Sequence, residues 1–139
     1  MIVRPLSRLL LDDAADRPIA LSGGHIIDLA RFRLDVAGTI ARLTATSGRR
    51  GLIVCDDAYW ATVGMFALAH SGGETVFAPN TLPATIAALA GAYDHVLSDG
   101  AMPEASIRLE PAKGVPAAIA PMNADSACVA LFTDRKSVV

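Results

Sequence analysis

The chain has few aromatic residues, 5% of the total, and only two cysteines, Cys55 and Cys128. So few aromatics predict a closely packed, alanine-rich core without large aromatic clusters. The two distant cysteines lack the short spacing of zinc or thiol-redox motifs, and a reduced, cytoplasmic chain is expected. No apolar run reaches the roughly 18 residues that a bilayer-spanning helix needs. The amino terminus offers Arg4 and Arg8, but its apolar run Leu9-Leu10-Leu11 ends at Asp12-Asp13, too short for a secretory signal. Charge of one sign is missing too: 12 Lys and Arg against 14 Asp and Glu leave a net −2. That balance gives no electrostatic reason to expect a nucleic acid or an anionic membrane as partner.

What is present is globular. With 139 residues, 53% of them hydrophobic and 19% charged, the chain fits one domain, or a piece of one, and excludes intrinsic disorder. Pro18 to Leu29 predicts an edge hairpin turning at Ser22-Gly23-Gly24. A phosphate cradle on those glycines is disfavoured, because no helix start follows closely. From Asp35, the apolar positions Val36, Ala37, Ile40, Ala41 and Leu43 predict a helix closed by Gly48. Leu52–Cys55 is a short apolar strand, and Asp56 or Asp57 can cap the helix Ala58–Ser71, which Gly72-Gly73 ends. Thr75–Ala78 is the next strand. Thr81 is a plausible cap for a helix with Pro83 in its first turn and a face of Ile86, Leu89 and Ala90. His95–Ser98 is a strand, and Asp99-Gly100 a turn. Four prolines between residues 101 and 126 mark an irregular connection with a short strand at Ser106–Leu109, before a buried strand at Ala127–Phe132.

Helices alternating with strands over residues 35–98 argue for an α/β fold with a parallel βαβ layer and right-handed crossovers. Chemistry is sparser. Dinucleotide binding needs a glycine-rich strand-to-helix turn, whereas Leu52–Cys55 runs into Asp56-Asp57-Ala58-Tyr59, whose carboxylates would repel phosphate. Asp56 and Asp57 are candidate metal ligands or an acid–base pair at a strand's carboxyl end, against the plainer roles of cap and solvated charge. His25, His70 and His95 are isolated in sequence, with His70 suited to a helix's last turn. Ser22, Ser71 and Ser98 lack a nucleophile-elbow context. Cys55 reads as an inert core thiol. Tyr59 and Trp60 read as helix-face packing rather than a stacking platform. No catalytic residue and no metal site is assigned on these grounds.

The final six residues, Asp134-Arg135-Lys136-Ser137-Val138-Val139, break with the strand before them. They match the translation of a common sequencing adapter, GAT CGG AAG AGC GTC GTG, whose next codon is a stop. Residues 1–133 are therefore expected to be a partial natural domain, and residues 134–139 an artefactual tail.

The order and spacing of segments resemble the opening of the adenylate-forming (AMP-binding) ligases, the acyl- and aryl-CoA synthetase superfamily. The stretch Leu68-Ala69-His70-Ser71-Gly72-Gly73-Glu74-Thr75-Val76-Phe77-Ala78-Pro79-Asn80 is similar to that family's Leu-Lys-Ala-Gly-Ala helix end, strand and Pro-Leu-Asn. Val96-Leu97-Ser98-Asp99 looks like the family's following Leu-x-x-Asp. Pro5–Leu10 and Phe32–Leu43 also look like its beginning. His70 stands where a lysine is usual, and Asp56-Asp57-Ala58-Tyr59 replaces an Asn-Ser-x-Glu type turn. Both departures leave the subfamily open, although the alanine-rich style of residues 32–99 is similar to ligases of bacterial pigment clusters. Ala130-Leu131-Phe132-Thr133 looks like the strand entering the family's phosphate loop, and Thr133 would be that loop's first residue. The resemblance implies the N-terminal fragment of the large ligase domain. It further implies a parent using ATP and Mg to activate a small carboxylic acid as an acyl-adenylate, with CoA or carrier-protein phosphopantetheine as acceptor. The fragment, missing the C-terminal remainder of the same protein, is expected to be inactive and to bind neither well. The alternative is a free-standing α/β binding or interaction module without catalysis.

Overall fold

The computed structural model describes residues 6–11, 16–46, 48–100, 102, 105, 107–113, 119 and 128–132. Strands β1 (Pro18–Ser22) and β2 (His25–Asp28) pair antiparallel, with Ser22 opposite His25 and Leu21 opposite Ile26. The turn needs positive φ at both central residues, and Gly23 and Gly24 supply it at +57° and +79°.

Helix α1 spans Leu29–Thr44, starting at Leu29 rather than at Asp35. The reason is Asp28, whose carboxylate accepts the Arg31 N–H at 2.9 Å and caps the first turn. Leu29 and Phe32 thereby join the buried face that continues through Val36 and Leu43.

Next come β3 (Arg50–Val54), α2 (Ala58–His70), β4 (Glu74–Phe77), α3 (Pro83–Ala88) and β5 (His95–Ser98). The two-residue β6 (Ile107–Arg108) and β7 (Cys128–Leu131) complete the sheet. Its order is β6-β5-β3-β4-β7, and every neighbouring pair is parallel. Asp57 caps α2 by accepting the Tyr59 N–H at 2.9 Å, and Gly72 leaves the helix at φ +73°. Thr81 does not cap α3. Leu82 occupies that position without a side-chain bond, and Asn80 Oδ1 accepts the Leu82 N–H at 3.0 Å instead. The helix is also shorter than its sequence pattern: it stops at Ala88, a 3-10 turn follows at Ala90–Ala92, and only Ile86 is buried.

The chain passes from β3 to β4 through α2, then back across β3 to β5 through α3. Right-handed crossovers put those two helices on opposite faces, and the packing agrees. Leu29, Phe32 and Val36 of α1 and Val63, Phe66 and Leu68 of α2 cluster with Ile53 and Leu97. Leu52, Val54, Val76 and Val96 meet Ile86 on the other side. Strands covered on both faces explain the apolar run Leu52-Ile53-Val54 of β3 and the burial of all four residues of β5.

Four of the seven aromatics gather into one cluster, contrary to the expectation from composition. Phe32 meets Tyr59 and Phe66 edge-on at 6.1 and 5.2 Å, and Tyr59 meets Trp60 at 5.1 Å. The cause is positional: all four lie where α1 and α2 cross. Full burial of a side chain such as Phe32 is worth about 1.5–3 kcal/mol. The two sheet edges differ. At β6, the Arg42 guanidinium donates to the Arg108 carbonyl, whereas β7 presents exposed Val129 and Leu131, followed by exposed Phe132.

Candidate functional site

In an open parallel sheet, ligands settle outside the carboxyl ends of the strands where the strand order reverses. Here that place lies between the ends of β3 and β5. It is built from Cys55, Asp56 and Asp57 after β3, Asp99 and Gly100 after β5, and Ser22 from the hairpin.

The amides that could hold an anion there are already taken. Asp99 accepts the N–H of Asp56 at 3.3 Å and of Asp57 at 2.9 Å through its two oxygens. Asp57 divides its carboxylate between the Tyr59 N–H and the Ser22 hydroxyl, which donates to it at 2.5 Å. Asp57 is thus a helix cap and a hairpin anchor, and Asp56 is exposed. Their neighbours act on Cys55, whose thiol is pushed up to about 12 by burial first and by the charges of Asp99, Asp56 and Asp57 after it. The half-buried thiol therefore stays protonated and poorly nucleophilic at neutral pH, as an inert residue should. It stands just past the strand rather than within it.

The remaining sequence candidates do not converge. His25 is in the exposed hairpin. His70 ends α2 and stacks on Phe66 at 6.4 Å. His95 is buried at the start of β5, with Nε2 3.3 Å from Thr46 Oγ1. Among the described residues, no three His, Cys, Asp or Glu side chains are placed to hold a metal ion. The Ser71 hydroxyl donates to the Ala67 carbonyl at 2.7 Å, and the Ser98 hydroxyl accepts the Met102 N–H at 3.0 Å. Tyr59 is 5% exposed and Trp60 half-buried, as packing rather than stacking on a ligand requires. Thr133 lies outside the described residues. The strand leading to it ends at the same carboxyl edge of the sheet, where the Phe132 N–H donates to the Phe77 carbonyl at 3.0 Å.

Sequence reasoning missed a charged cluster at the sheet's opposite, amino-terminal end. A groove of about 490 Å³ is lined there by Gly48, Arg49, Arg50, Gly72, Glu74 and Asp94 among others. Asp94 accepts the amide N–H groups of Arg49 at 3.0 Å and Arg50 at 2.9 Å, and pairs with the Arg50 guanidinium at 3.0 Å. Those donors hold its carboxyl well below the usual carboxylate range, the Arg50 side chain most of all. Arg49 donates to the Gly72 carbonyl and Arg50 to that of Gly91. Both arginines thus serve as ties between strand ends. The one local signal was Arg49-Arg50 directly before an apolar strand.

The sequence matches no protein-family model and no curated protein. Solved structures match by fold. IdnL7 superposes with a TM-score of 0.60 at 21% identity, over 91% of this chain and 32% of its own. The nonribosomal peptide synthetase FmoA3 in its AMPPNP-bound form matches at 0.58 and 14% identity, over 84% of this chain and 15% of its own. The amide bond synthetase McbA from Marinactinospora thermotolerans matches at 0.52 and 18%, over 94% and 32%. The chain spans a third or less of the length of each. Its fold, a parallel five-stranded α/β sheet with an antiparallel hairpin, is the one it shares with part of each of these structures.

Proposed function

We propose that this polypeptide is the opening part of an adenylate-forming ligase and has no ligase activity alone. The whole enzyme would convert a small carboxylic acid and ATP to an acyl-adenylate. It would then pass the acyl group to the thiol of CoA or of a carrier protein, in a bacterial cytoplasm. The observation carrying this reading is the sheet order with β7 beside β4, in a fold that structures of synthetases match over most of this chain. On this reading Thr133 begins the loop for the ATP phosphates, and residues 134–139 are foreign to the natural protein.

The described residues do not fit Mg-ATP. The amides at the β3–β5 reversal are bound by Asp99, and Asp56, Asp57 and Asp99 surround the place with negative charge. A triphosphate would displace one carboxylate and be repelled by the others. What this chain contributes is scaffold. The α1–α2 layer buries one face of the sheet, and β4 fixes the direction in which β7 leaves.

Two measurements test the proposal. Purified 139-residue chain should give no ATP–pyrophosphate exchange above background with any carboxylic acid, and turnover would overturn the claim of inactivity. Genomic DNA read past the codon for Thr133 should continue as Ser-Gly, Ser or Thr, Thr-Gly. A continuation without small and hydroxyl residues would overturn the family reading.

A further inference from the structure

One stripe of α1 is given over to holding a segment distant in sequence. Arg31, Asp35, Gly38 and Arg42 recur every three or four residues, so they line one side of the helix. Against them lie Arg108 to Ala112. Arg42 donates to the Arg108 carbonyl and lies 3.9 Å from Glu110. Asp35, 2% exposed, accepts the Ala112 N–H at 3.0 Å through Oδ1. The same carboxylate takes Arg31 at 2.7 and 3.3 Å and the Tyr59 hydroxyl at 2.5 Å. At Gly38 the backbones come so close that an added Cβ would lie 2.9 Å from the Ala112 Cβ.

We infer that residues 110–112, which follow β6 and the buried Leu109, form a strap latched onto α1 by Asp35 and seated in the notch at Gly38, opening and closing as a unit apart from the sheet. The proposal is independent of the ligase reading. A buried carboxylate contributes little net stability when its partners could be apolar, but it holds one arrangement against others. Past Leu109, whose N–H still donates to the Ser98 carbonyl at 2.7 Å, the segment holds Pro111 and has no ladder of its own to fix its path. The path matters, because β6 and β7 lie at opposite edges of the sheet, and this segment begins the crossing between them.

Glycine inside a helix makes the latch testable by sign. In an open helix face Gly38→Ala stabilises, since alanine is the better helix former. Beneath a seated strap it forces Ala112 away. Amide hydrogen exchange on the 139-residue chain, followed residue by residue, reads the latch at Ala112 and the core at Val63. Protection at Ala112 is expected in the unchanged chain. Gly38→Ala and Asp35→Asn should each speed exchange at Ala112 by roughly tenfold or more, with Val63 changing far less. Adding Ala112→Gly to Gly38→Ala removes the opposing methyl and should restore slow exchange at position 112. No protection at Ala112 in the unchanged chain, equal acceleration at Val63, or no rescue by the double substitution would each overturn the latch.

Discussion

Tyr59→Phe separates a buried hydrogen bond from the packing around it. The ring is 5% exposed and keeps its edge contacts with Phe32 and Trp60 when the hydroxyl is removed. What is lost is the 2.5 Å donation to Asp35, in a site where Arg31 and the Ala112 amide are the carboxylate's remaining partners. Hydrogen bonds to charged groups are worth about 1.5–3 kcal/mol, which for a chain of this size lowers Tm by about 5–10 °C. Alkaline pH reverses the comparison. Burial, and then the bond to Asp35, raise the Tyr59 pKa above its ordinary value, so the folded chain keeps a proton that the unfolded chain releases near pH 10. That contribution to stability is complete below about pH 10 and is lost above it, by about 1.4 kcal/mol per pH unit. Phenylalanine has no such proton. The two stability curves should therefore approach each other and meet at about pH 11–12. Urea unfolding followed by circular dichroism checks this, best in a Cys55→Ala background, because the raised thiol also costs stability as pH climbs from about 8.5 towards 12. Equal midpoints at pH 7, or parallel curves above pH 10, would refute the role given to the hydroxyl.

Acid should act at the other end of the sheet. Asp94 has its folded pKa lowered, so its contribution is present above about pH 4, where the unfolded carboxyl ionises, and is lost as pH falls further. Asp94→Asn should reduce the urea midpoint at pH 7 and flatten its decline below pH 4, and an unchanged midpoint counts against the tie. Gly51→Ala should destabilise by about 1–3 kcal/mol, because the new Cβ would lie 2.7 Å from Leu68 Cδ1 and 2.9 Å from Leu97 Cδ1. A neutral result in denaturation would mean that β3 and α2 are packed more loosely than described.

The hairpin, α2 and β5 were legible because local signals agree there: glycines where positive φ is needed, Asp57 before an apolar run, and Val96-Leu97 closed off by the Asp99-Gly100 turn. Elsewhere two signals competed. Ile26-Ile27 drew Leu29 into the strand, and only the bond to the Arg31 N–H shows that Asp28, the last residue of β2, is also a cap. Thr81 and Asn80 are both capping types, and the choice between them depends on which oxygen reaches the Leu82 N–H. The candidate site was illegible for a different reason. Asp99 meets Asp56 and Asp57 from a strand that is adjacent only after the chain has crossed over β3, and no spacing rule connects them.

That pairing also constrains where the chemistry of any larger protein can lie. The reversal between β3 and β5 is where this sheet topology ordinarily receives an anion. Asp99 satisfies the two amides from within, making the place a rigid joint between the β3 and β5 turns and leaving it acidic. On the proposed reading, a phosphate grip would form away from it along the same carboxyl edge. β7 is two strands from β3, so its end lies roughly 10 Å away at the usual strand spacing, about one screening length at physiological salt. The acidic joint and a phosphate loop after β7 are compatible at that separation, whereas a loop directly after β3 would face the carboxylates.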